Sequence, residues 1–469
     1  MDRLIVSTQN PHLLATEGGD PLLIIGDTAW ELFHRLTLPE IELYLATRAR
    51  QGFNMIWANI LPEFNGLTEP NRNGDLPFED LDPLKPVESY FEFIDEVVAM
   101  AASKEIHVGL LPTWGDKLTA PWGAGPVLFH LDNLEVSRSY ARWLGTRYAS
   151  QPNVIWVLGG DRPPRLFGPA DQFPKRNAVE AGLDAETDWT PIWREFASGL
   201  REGGATQLIG YHPQGGPHST SEFLHGEPWL DFNAIQSGHG GGHDVPIWNW
   251  IERDYNLSPL KPTMDAEPNY EDHPVNPWPV WDPKNGFFED YDVRKQVYRS
   301  IFAGGCGVIY GNHCVWQFAS ELYGPVLEVR MPWQQAILQP GAEQMRHLRD
   351  LIESIGFGSI RPDQSLIVNH LESGQGLVRV ARTDDCILVY SAAPAKLQVH
   401  LPWSGEDRVV VSIFETKTGE VVPLYTTTGA STPICDAFGL RQDHLTIYRR
   451  EQDQAKWIEP HAWRNNQQV

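Results

Sequence analysis

Two carboxylates, Asp161 and Glu267, stand at positions that suit acid–base chemistry. Each ends a short apolar run, over 154–158 and 262–267, of the kind that forms a buried strand. When such strands are parallel and close into a barrel, their carboxyl ends meet around one pocket. Two facing carboxyl groups can break a glycosidic bond, because one protonates the leaving oxygen while the other attacks the anomeric carbon or activates water. Alternatively, Asp161 pairs with a neighbouring arginine and Glu267 is a solvated loop residue.

Seven further residues follow other apolar runs, and we predict that they bind a substrate in the same pocket. Indole rings stack on the apolar faces of sugars, whereas carboxylate, amide and imidazole groups form hydrogen bonds with hydroxyl groups. Simpler roles stay open: Asp27 could cap the segment after it, Trp30 could be barrel packing, and His212 could be a satisfied residue at the pocket rim. The predicted binding residues are Asp27, Trp30, Asn59, Trp114, His212, Gln236 and His239.

The stretch 238–244 raises the question of a metal site. Its two histidines, His239 and His243, are separated by three glycines, so no helical face sets their spacing, and the chain has no H-E-x-x-H motif. The four cysteines form no C-x-x-C pair. We therefore predict no metal and no cofactor. A metal-dependent hydrolase that uses His212, His239, His243 and Asp27 is a lesser alternative.

The elements that must position these residues alternate between apolar strands and amphipathic helices over 1–360. Eight such units predict an α/β fold, a (β/α)8 TIM barrel that forms the catalytic domain. A doubly wound sheet is the rival, but it usually has a Gly-rich phosphate turn after its first strand, where this chain has Gly26-Asp27-Thr28-Ala29-Trp30. The predicted strands are 22–27, 53–59, 106–111, 154–158, 207–211, 232–236, 262–267 and 308–311. The predicted helices include 37–51, 134–150, 189–202, one through 248–251 capped by Asp244, 292–303 and 341–355.

The pattern changes near residue 361. Short alternating runs separated by turn residues predict a small all-β sandwich over 361–450, as an accessory domain, followed by a polar tail over 451–469. The seven predicted strands are 365–368, 377–381, 387–390, 397–401, 409–414, 421–424 and 445–448.

The composition indicates which kinds of partner and which cellular compartment are expected. The 469 residues contain 37 Lys and Arg against 61 Asp and Glu, a net charge of −24, so we exclude a nucleic-acid partner. The 18 tryptophans fit either a large core or a carbohydrate-binding protein. No apolar run is long enough to span a membrane, and the N-terminus lacks a signal-peptide pattern. We predict a cytoplasmic protein, or a secreted or periplasmic one if a signal was removed.

The strand-end motifs resemble those of the apiosidase-like glycoside hydrolases, family 140. The resembling stretches are Gly26 to Trp30, Gly52-Phe53-Asn54, Val154 to Asp161 and Asp265 to Glu271. The resemblance covers nearly the whole chain, including the β-domain, which in this group is often labelled a collagen-binding domain. It implies a barrel that removes terminal sugars from plant cell-wall polysaccharide, with Asp161 as acid/base and Glu267 as nucleophile.

The residues and the resemblance together predict a glycoside hydrolase with a two-carboxylate mechanism. We expect it to be exo-acting and retaining, and to cleave a terminal sugar, with an apiose-like furanose among the candidates, from plant cell-wall oligosaccharides. The alternative is a non-catalytic carbohydrate-binding protein on a barrel scaffold, in which Asp161 and Glu267 are only polar contacts. The predicted partner is a carbohydrate in either case.

Overall fold

The computed structural model describes residues 1–119, 125–369, 373–374, 376–436 and 443–451. A short antiparallel pair of strands, β1 (Leu4–Val6) and β2 (Leu14–Thr16), precedes a sheet of eight parallel strands. The eight strands are β3 Ile24–Thr28, β4 Met55–Asn59, β5 His107–Leu111, β6 Val154–Gly159, β7 Ile209–His212, β8 Asn233–Ile235, β9 Thr263–Asp265 and β10 Gly307–Tyr310.

The eight strands follow the order β7-β6-β5-β4-β3-β10-β9-β8. The strands at the two ends of this order, β7 and β8, contact each other, so the sheet curls into a nearly closed barrel. Each predicted strand overlaps an observed one, and the (β/α)8 prediction is confirmed. Every residue of the eight strands is buried, as expected for parallel strands covered by helices on the outside.

Helices surround the barrel. The helix predicted over 37–51 shows how its sequence sets its start: Thr37 and Glu40 form a capping box, and a proline lies in the first turn. Within the described ranges, no helix has the length and apolar character needed to cross a membrane. The helices are α1 Leu32–Arg35, α2 Leu38–Arg50, α3 Glu88–Ser103, α4 Leu134–Tyr148, α5 Lys175–Glu180, α6 Thr190–Glu202, α7 Ser221–Leu224, α8 Ile247–Tyr255, α9 Asp290–Phe302, α10 His313–Trp316, α11 Trp333–Ala336 and α12 Pro340–Ile355.

The predicted cap of α8 is wrong. The helix begins at Ile247, directly after Pro246, so Asp244 lies too far upstream to cap it. The carboxylate of Asp244 instead accepts a hydrogen bond from Arg299 at 2.9 Å and lies 3.2 Å from the ammonium group of Lys295. Both cations lie on α9, and this double ion pair ties the 238–244 loop to that helix.

The C-terminal part is an antiparallel β-domain. Six strands form a sheet in the order β11-β12-β13-β18-β15-β16, and two more, β14 and β17, pair separately. The predicted strand at 365–368 is only partly present: Gln364–Leu366 is a short 3-10 helix, whose Gln364 side chain bonds the backbone of Val378 and Val380, while Ile367 forms an antiparallel bridge to Val399. The strands are β11 Arg361–Pro362, β12 Val378–Arg382, β13 Cys386–Ser391, β14 Lys396–Gln398, β15 Arg408–Glu415, β16 Val421–Thr428, β17 Ile434–Asp436 and β18 His444–Arg450. The predicted tail lies outside the described residues beyond 451.

The β-domain packs on the outer side of α9. Arg294, on that helix, forms a buried ion pair with Asp443 at 2.7 Å. Beside it, the rings of Tyr298 and Tyr390 stack with centroids 4.8 Å apart. α9 therefore carries several of the contacts that join the two parts of the chain, and Arg379 of β12 adds an ion pair with Glu252 on α8.

Candidate active site

Asp161 follows β6 in a backbone turn that only glycine can lead into. Gly159 and Gly160 have φ of 91° and 106°, and a Cβ on Gly159 would lie 2.2 Å from the carbonyl oxygen of His212. Asp161 itself has φ of 51°, a conformation that costs a non-glycine residue free energy. Its N–H donates to Nδ1 of His212 at 3.1 Å, and Arg162 donates to its carbonyl oxygen at 2.7 Å. These bonds hold the strained residue in place.

The carboxyl group of Asp161 has few partners. Its side chain is 32% exposed, and Nη1 of Arg162 donates to Oδ2 at 3.0 Å. The pKa of Asp161 is raised from its usual value: partial burial raises it most, the charge of Arg162 opposes this, and the charge of Glu267 raises it further. Asp161 is thus biased toward its protonated form, which can donate a proton.

Glu267, two residues beyond β9, is surrounded by hydrogen-bond donors. Its Oε1 accepts from the amide of Gln236 at 2.9 Å and lies 3.2 Å from Nε2 of His239. Its Oε2 lies 3.2 Å from Nε2 of His212. Burial alone would raise the pKa of Glu267, but the two imidazoles outweigh this effect and lower the pKa to about 2. Glu267 is therefore a carboxylate at any pH at which the protein works.

The backbone sets the protonation of both histidines. Nδ1 of His212 accepts the N–H of Asp161, and Nδ1 of His239 accepts the N–H of Tyr270 at 3.4 Å. In a neutral imidazole an accepting Nδ1 leaves the proton on Nε2. Both rings thus place Nε2 3.2 Å from an oxygen of Glu267, and His212 links the backbone of one carboxylate to the side chain of the other.

The amide of Gln236 also connects the two carboxylates. It donates to Glu267 and forms a side-chain hydrogen bond that lowers the pKa of Asp161. The two carboxyl groups therefore share one amide neighbour. The structure thus brings Asp161, Glu267, His212, Gln236 and His239 together.

The predicted tryptophans lie around His212 and are buried. Trp30 is 3% exposed and Trp114 is 2% exposed, and their ring centroids are 5.0 Å apart. The imidazole of His212 lies 5.2 Å from the ring of Trp30, 5.8 Å from that of Trp114 and 5.9 Å from that of Trp57. The three indole rings surround the imidazole of His212 with apolar surface.

Several buried polar atoms in this pocket lack partners within the described residues. Both amide atoms of Asn59, Nε1 of Trp114 and Oε1 of Gln236 accept or donate no hydrogen bond there. Oε1 of Gln214 also has no hydrogen-bond partner there. Our sequence reasoning missed this residue, although it follows β7 by two positions. Unpaired buried polar atoms are costly. A bound molecule with many hydroxyl groups would satisfy both the donors and the acceptors.

Comparisons with known proteins identify the family of the chain. The family model described as "Apiosidase-like, catalytic domain" matches residues 8–358, three quarters of the chain. The chain belongs to the apiosidase-like family. A second model, "Putative collagen-binding domain of a collagenase", matches residues 361–434. No curated protein sequence matches the chain.

Solved structures support the same assignment for this apiosidase-like chain. One, named "Glycoside hydrolase", superposes with a TM-score of 0.82 at 26% identity, covering 97% of this chain and 98% of that one. Another, a family 5 glycoside hydrolase from Bacteroides vulgatus, has a TM-score of 0.81 at 25% identity, covering 99% and 98%. The chain is therefore similar over its full length, β-domain included, to glycoside hydrolases.

Asp27 does not join the pocket of the apiosidase-like barrel. Its Oδ2 accepts hydrogen bonds from Tyr44 at 2.7 Å and from Arg48 at 2.6 Å, both on α2. Successive strand residues point to opposite faces, and Asp27 points outward to the helix layer. The side chain is fully buried in an ion pair that joins β3 to α2. We expected Asp27 to bind substrate hydroxyl groups, and the structure places it away from the other candidates.

A buried polar group behind Glu267 escaped our sequence reasoning. Ser237 donates to both oxygens of Asp265 at 2.9 Å, and Gln296 of α9 donates to Ser237. Burial raises the pKa of Asp265 to about 7. The group fastens the loops after β8 and β9 to α9, and these loops carry His239 and Glu267. The helix was predicted, but its pattern does not show which polar residue faces inward.

The structure gives no support to the metal-dependent alternative. Nδ1 of His243 lies 2.9 Å from Asp292 rather than near His239. In the ranges that the structure describes, no group of three or more His, Cys, Asp or Glu side chains could hold a metal ion. The cysteines Cys306, Cys314 and Cys386 are buried. The pocket of the apiosidase-like barrel thus offers two carboxyl groups, the guanidinium of Arg162, and imidazole and amide side chains.

Proposed function

We propose that this chain is a retaining, exo-acting glycoside hydrolase with Asp161 as acid/base and Glu267 as nucleophile. The observation that carries the proposal is the contrast between two carboxyl groups that share His212 and Gln236. One has a raised pKa, and the other has a pKa of about 2. Pairs of carboxyl groups whose surroundings push their pKa values apart are typical of an acid and a nucleophile in one site.

The chemistry follows from these protonation states. The carboxylate of Glu267 attacks the anomeric carbon while the carboxylic acid of Asp161 protonates the departing oxygen, so one C–O bond forms as another breaks. The product is a covalent glycosyl-enzyme. Asp161, now a carboxylate, takes a proton from water, and the resulting hydroxide displaces Glu267. His212 and His239 receive the returning carboxylate charge with the same N–H donors.

Retention follows from the assignment of Glu267 as nucleophile, which rests on the family. Retaining enzymes hold their carboxyl groups about 5–5.5 Å apart, whereas inverting enzymes leave about 6.5–9.5 Å for a water. Gln236 neighbours both carboxyl groups in this chain. The unpartnered atoms of Asn59, Trp114, Gln236 and Gln214 are the proposed contacts to the sugar hydroxyl groups. Exo action, an apiose-like sugar and plant cell-wall oligosaccharides as substrate rest on the family.

We further propose that 361–450 serves as a brace. The β-domain contacts α9 through a buried ion pair, Arg294 to Asp443, and α9 reaches the loops of the site through Gln296. This division leaves 1–360 as the catalytic domain. Asp27 belongs to the scaffold in this proposal, since its carboxylate holds β3 to α2.

A screen of aryl glycosides that includes apiosides and arabinofuranosides, with product stereochemistry followed by NMR, tests the proposal. We expect turnover with retention, and we expect Glu267→Gln to lose activity by more than about 10⁴-fold, because an amide cannot form the glycosyl-enzyme. Turnover by Glu267→Gln near that of the wild type would contradict the assignment. Binding of sugars by a wild-type protein without any turnover would favour the carbohydrate-binding alternative.

A further inference from the structure

Trp278 differs from the other tryptophans that the structure describes. It is 61% exposed, whereas Trp30, Trp57 and Trp114 are each 3% exposed or less. It lies in the long loop between β9 and α9, beyond Glu267 in the chain. A single exposed apolar side chain is ordinary in a folded protein, so the position of this indole relative to Glu267 decides whether it has a role.

A row of rings connects Trp278 to the nucleophile. Nε2 of His239 lies 3.2 Å from Glu267, and the ring of His239 stacks on that of His273 with centroids 3.9 Å apart. The ring of His273 lies 6.2 Å from that of Trp278. The exposed indole is therefore at the rim of the proposed site, a few ring widths from the carboxylate that would attack the sugar.

The loop that carries Trp278 is held firmly. The backbone N–H of Asn276 donates to the carbonyl of His239 at 3.1 Å, and Gly242 donates to the side chain of Asn276 at 2.9 Å. At its base, Val275 donates to Gly286 at 3.0 Å. Gly240 lies against the indole edge, where even an added Cβ would be 3.8 Å from the ring. Gly240 adds no side chain beside the ring, and the backbone hydrogen bonds anchor the loop just before Trp278.

We propose that Trp278 is a stacking platform for a sugar ring of the substrate outside the ring that is cleaved. The proposal rests on the proposed function, since it assigns the indole to the leaving-group side of the same carbohydrate. An indole face suits a sugar ring because it offers a flat apolar area at low conformational cost. A fixed platform at the rim would favour a chain of sugars over a single one.

Affinity electrophoresis of the full-length Glu267→Gln variant tests the platform, in gels that contain pectin, arabinoxylan or arabinogalactan. We expect at least one polysaccharide to retard this variant, and the further change Trp278→Ala to weaken the apparent affinity by about fivefold to tenfold. Trp278→Phe should keep part of the affinity. Val280→Ala is the matched control, because Val280 is 83% exposed on the same loop and has no ring.

The outcomes separate the two proposals. Retardation that Trp278→Ala does not change, or equal losses in Trp278→Ala and Val280→Ala, overturns the platform, as does the absence of retardation by all three polysaccharides. Aryl glycoside turnover by the wild-type protein is measured independently and tests the proposed function. Retardation that depends on Trp278 in a protein without any turnover would support the platform and overturn the hydrolase.

Discussion

Asp161 and Glu267 are carboxyl groups of one pocket, yet the end of β6 and the end of β9 surround them differently. Glu267 faces three donors, Gln236, His239 and His212, whereas the Asp161 carboxylate is bonded by Arg162 and is partly open to solvent. The difference is also one of backbone. Asp161 stands in a strained turn after two glycines, and Glu267 continues directly from a strand.

The comparison shows how a barrel can give two like groups different tasks. Strand ends place both carboxyl groups at one edge, but each role depends on what the neighbouring loops offer. Donors near Glu267 stabilise its charge and lower its pKa, whereas partial burial beside that charge raises the pKa of Asp161. His212 serves both sides through its two nitrogens. Substitutions of the two carboxyl groups or of their partners should therefore reduce activity by amounts that can be ranked.

After the loss of the nucleophile in Glu267→Gln, the removal of the acid should give the largest effect. We expect Asp161→Asn to lower kcat/KM by about 10²–10⁴-fold for a glycoside with a poor leaving group, because the departing oxygen then receives no proton. With a dinitrophenyl glycoside, whose leaving group departs without protonation, the loss should be much smaller. Steady-state kinetics on the two substrates measures the ratio, and equal losses would assign Asp161 another role.

The pH profile sharpens the same assignment. The acid must carry its proton, so wild-type kcat/KM should fall as the pH rises through the raised pKa of Asp161. In Asp161→Asn this alkaline decline should be absent with the dinitrophenyl substrate. A decline that persists unchanged in the variant would show that another group controls it.

The positions of the site residues follow from the sequence, but the directions of their side chains do not. The strand ends were predictable because apolar runs such as 154–158 alternate with helices, and positions after such runs share one barrel edge. The sequence did not predict which strand-end side chains point into the pocket. In strands buried on both faces, such as β3, no alternation of polar and apolar residues shows which side faces the pocket. Asp27 was for that reason expected among the binding residues, while it points at Arg48.

The partners of each carboxylate were also only partly predictable. Gln236, His212 and His239 follow strands and were predicted as pocket residues, but as substrate contacts. In the structure they hold Glu267, and Gln236 also reaches Asp161. Which pocket residue pairs with which depends on loop geometry across different strands, and a single sequence contains no signal of it. Gln296 illustrates the same limit, since a helix pattern gives its face but not its partner.

Weakening the support of Glu267 should give an intermediate effect. His239→Phe keeps a ring to stack on His273 but removes one N–H from the nucleophile. The pKa of Glu267, now about 2, should rise toward its usual value, so that activity begins to fall on the acid side at a higher pH. We expect kcat/KM near neutral pH to fall about tenfold with the loss of one charge-assisted hydrogen bond.

A matched control lies on the same loop. His243→Phe changes a half-exposed histidine that pairs with Asp292 and does not touch Glu267. It should leave the acid side of the profile in place. If both variants move the profile equally, the effect comes from the loop as a whole rather than from the hydrogen bond.

The smallest effect on activity is expected at Asp265, whose effect on stability should be larger. Burial raises its pKa to about 7 from the 3.8 of an unfolded chain, so the folded protein holds this proton more tightly. The free energy of unfolding is therefore highest below pH 3.8. It falls by on the order of 4 kcal/mol as the pH rises from 3.8 to about 7. Asp265→Asn cannot ionise and should lose this dependence, with kcat/KM changed less than about threefold because Ser237 keeps a partner. Urea unfolding of the wild type and the variant at pH 5 and pH 8 measures this dependence. An equal change in the free energy of unfolding between the two pH values in both proteins would show that Asp265 does not titrate in this range.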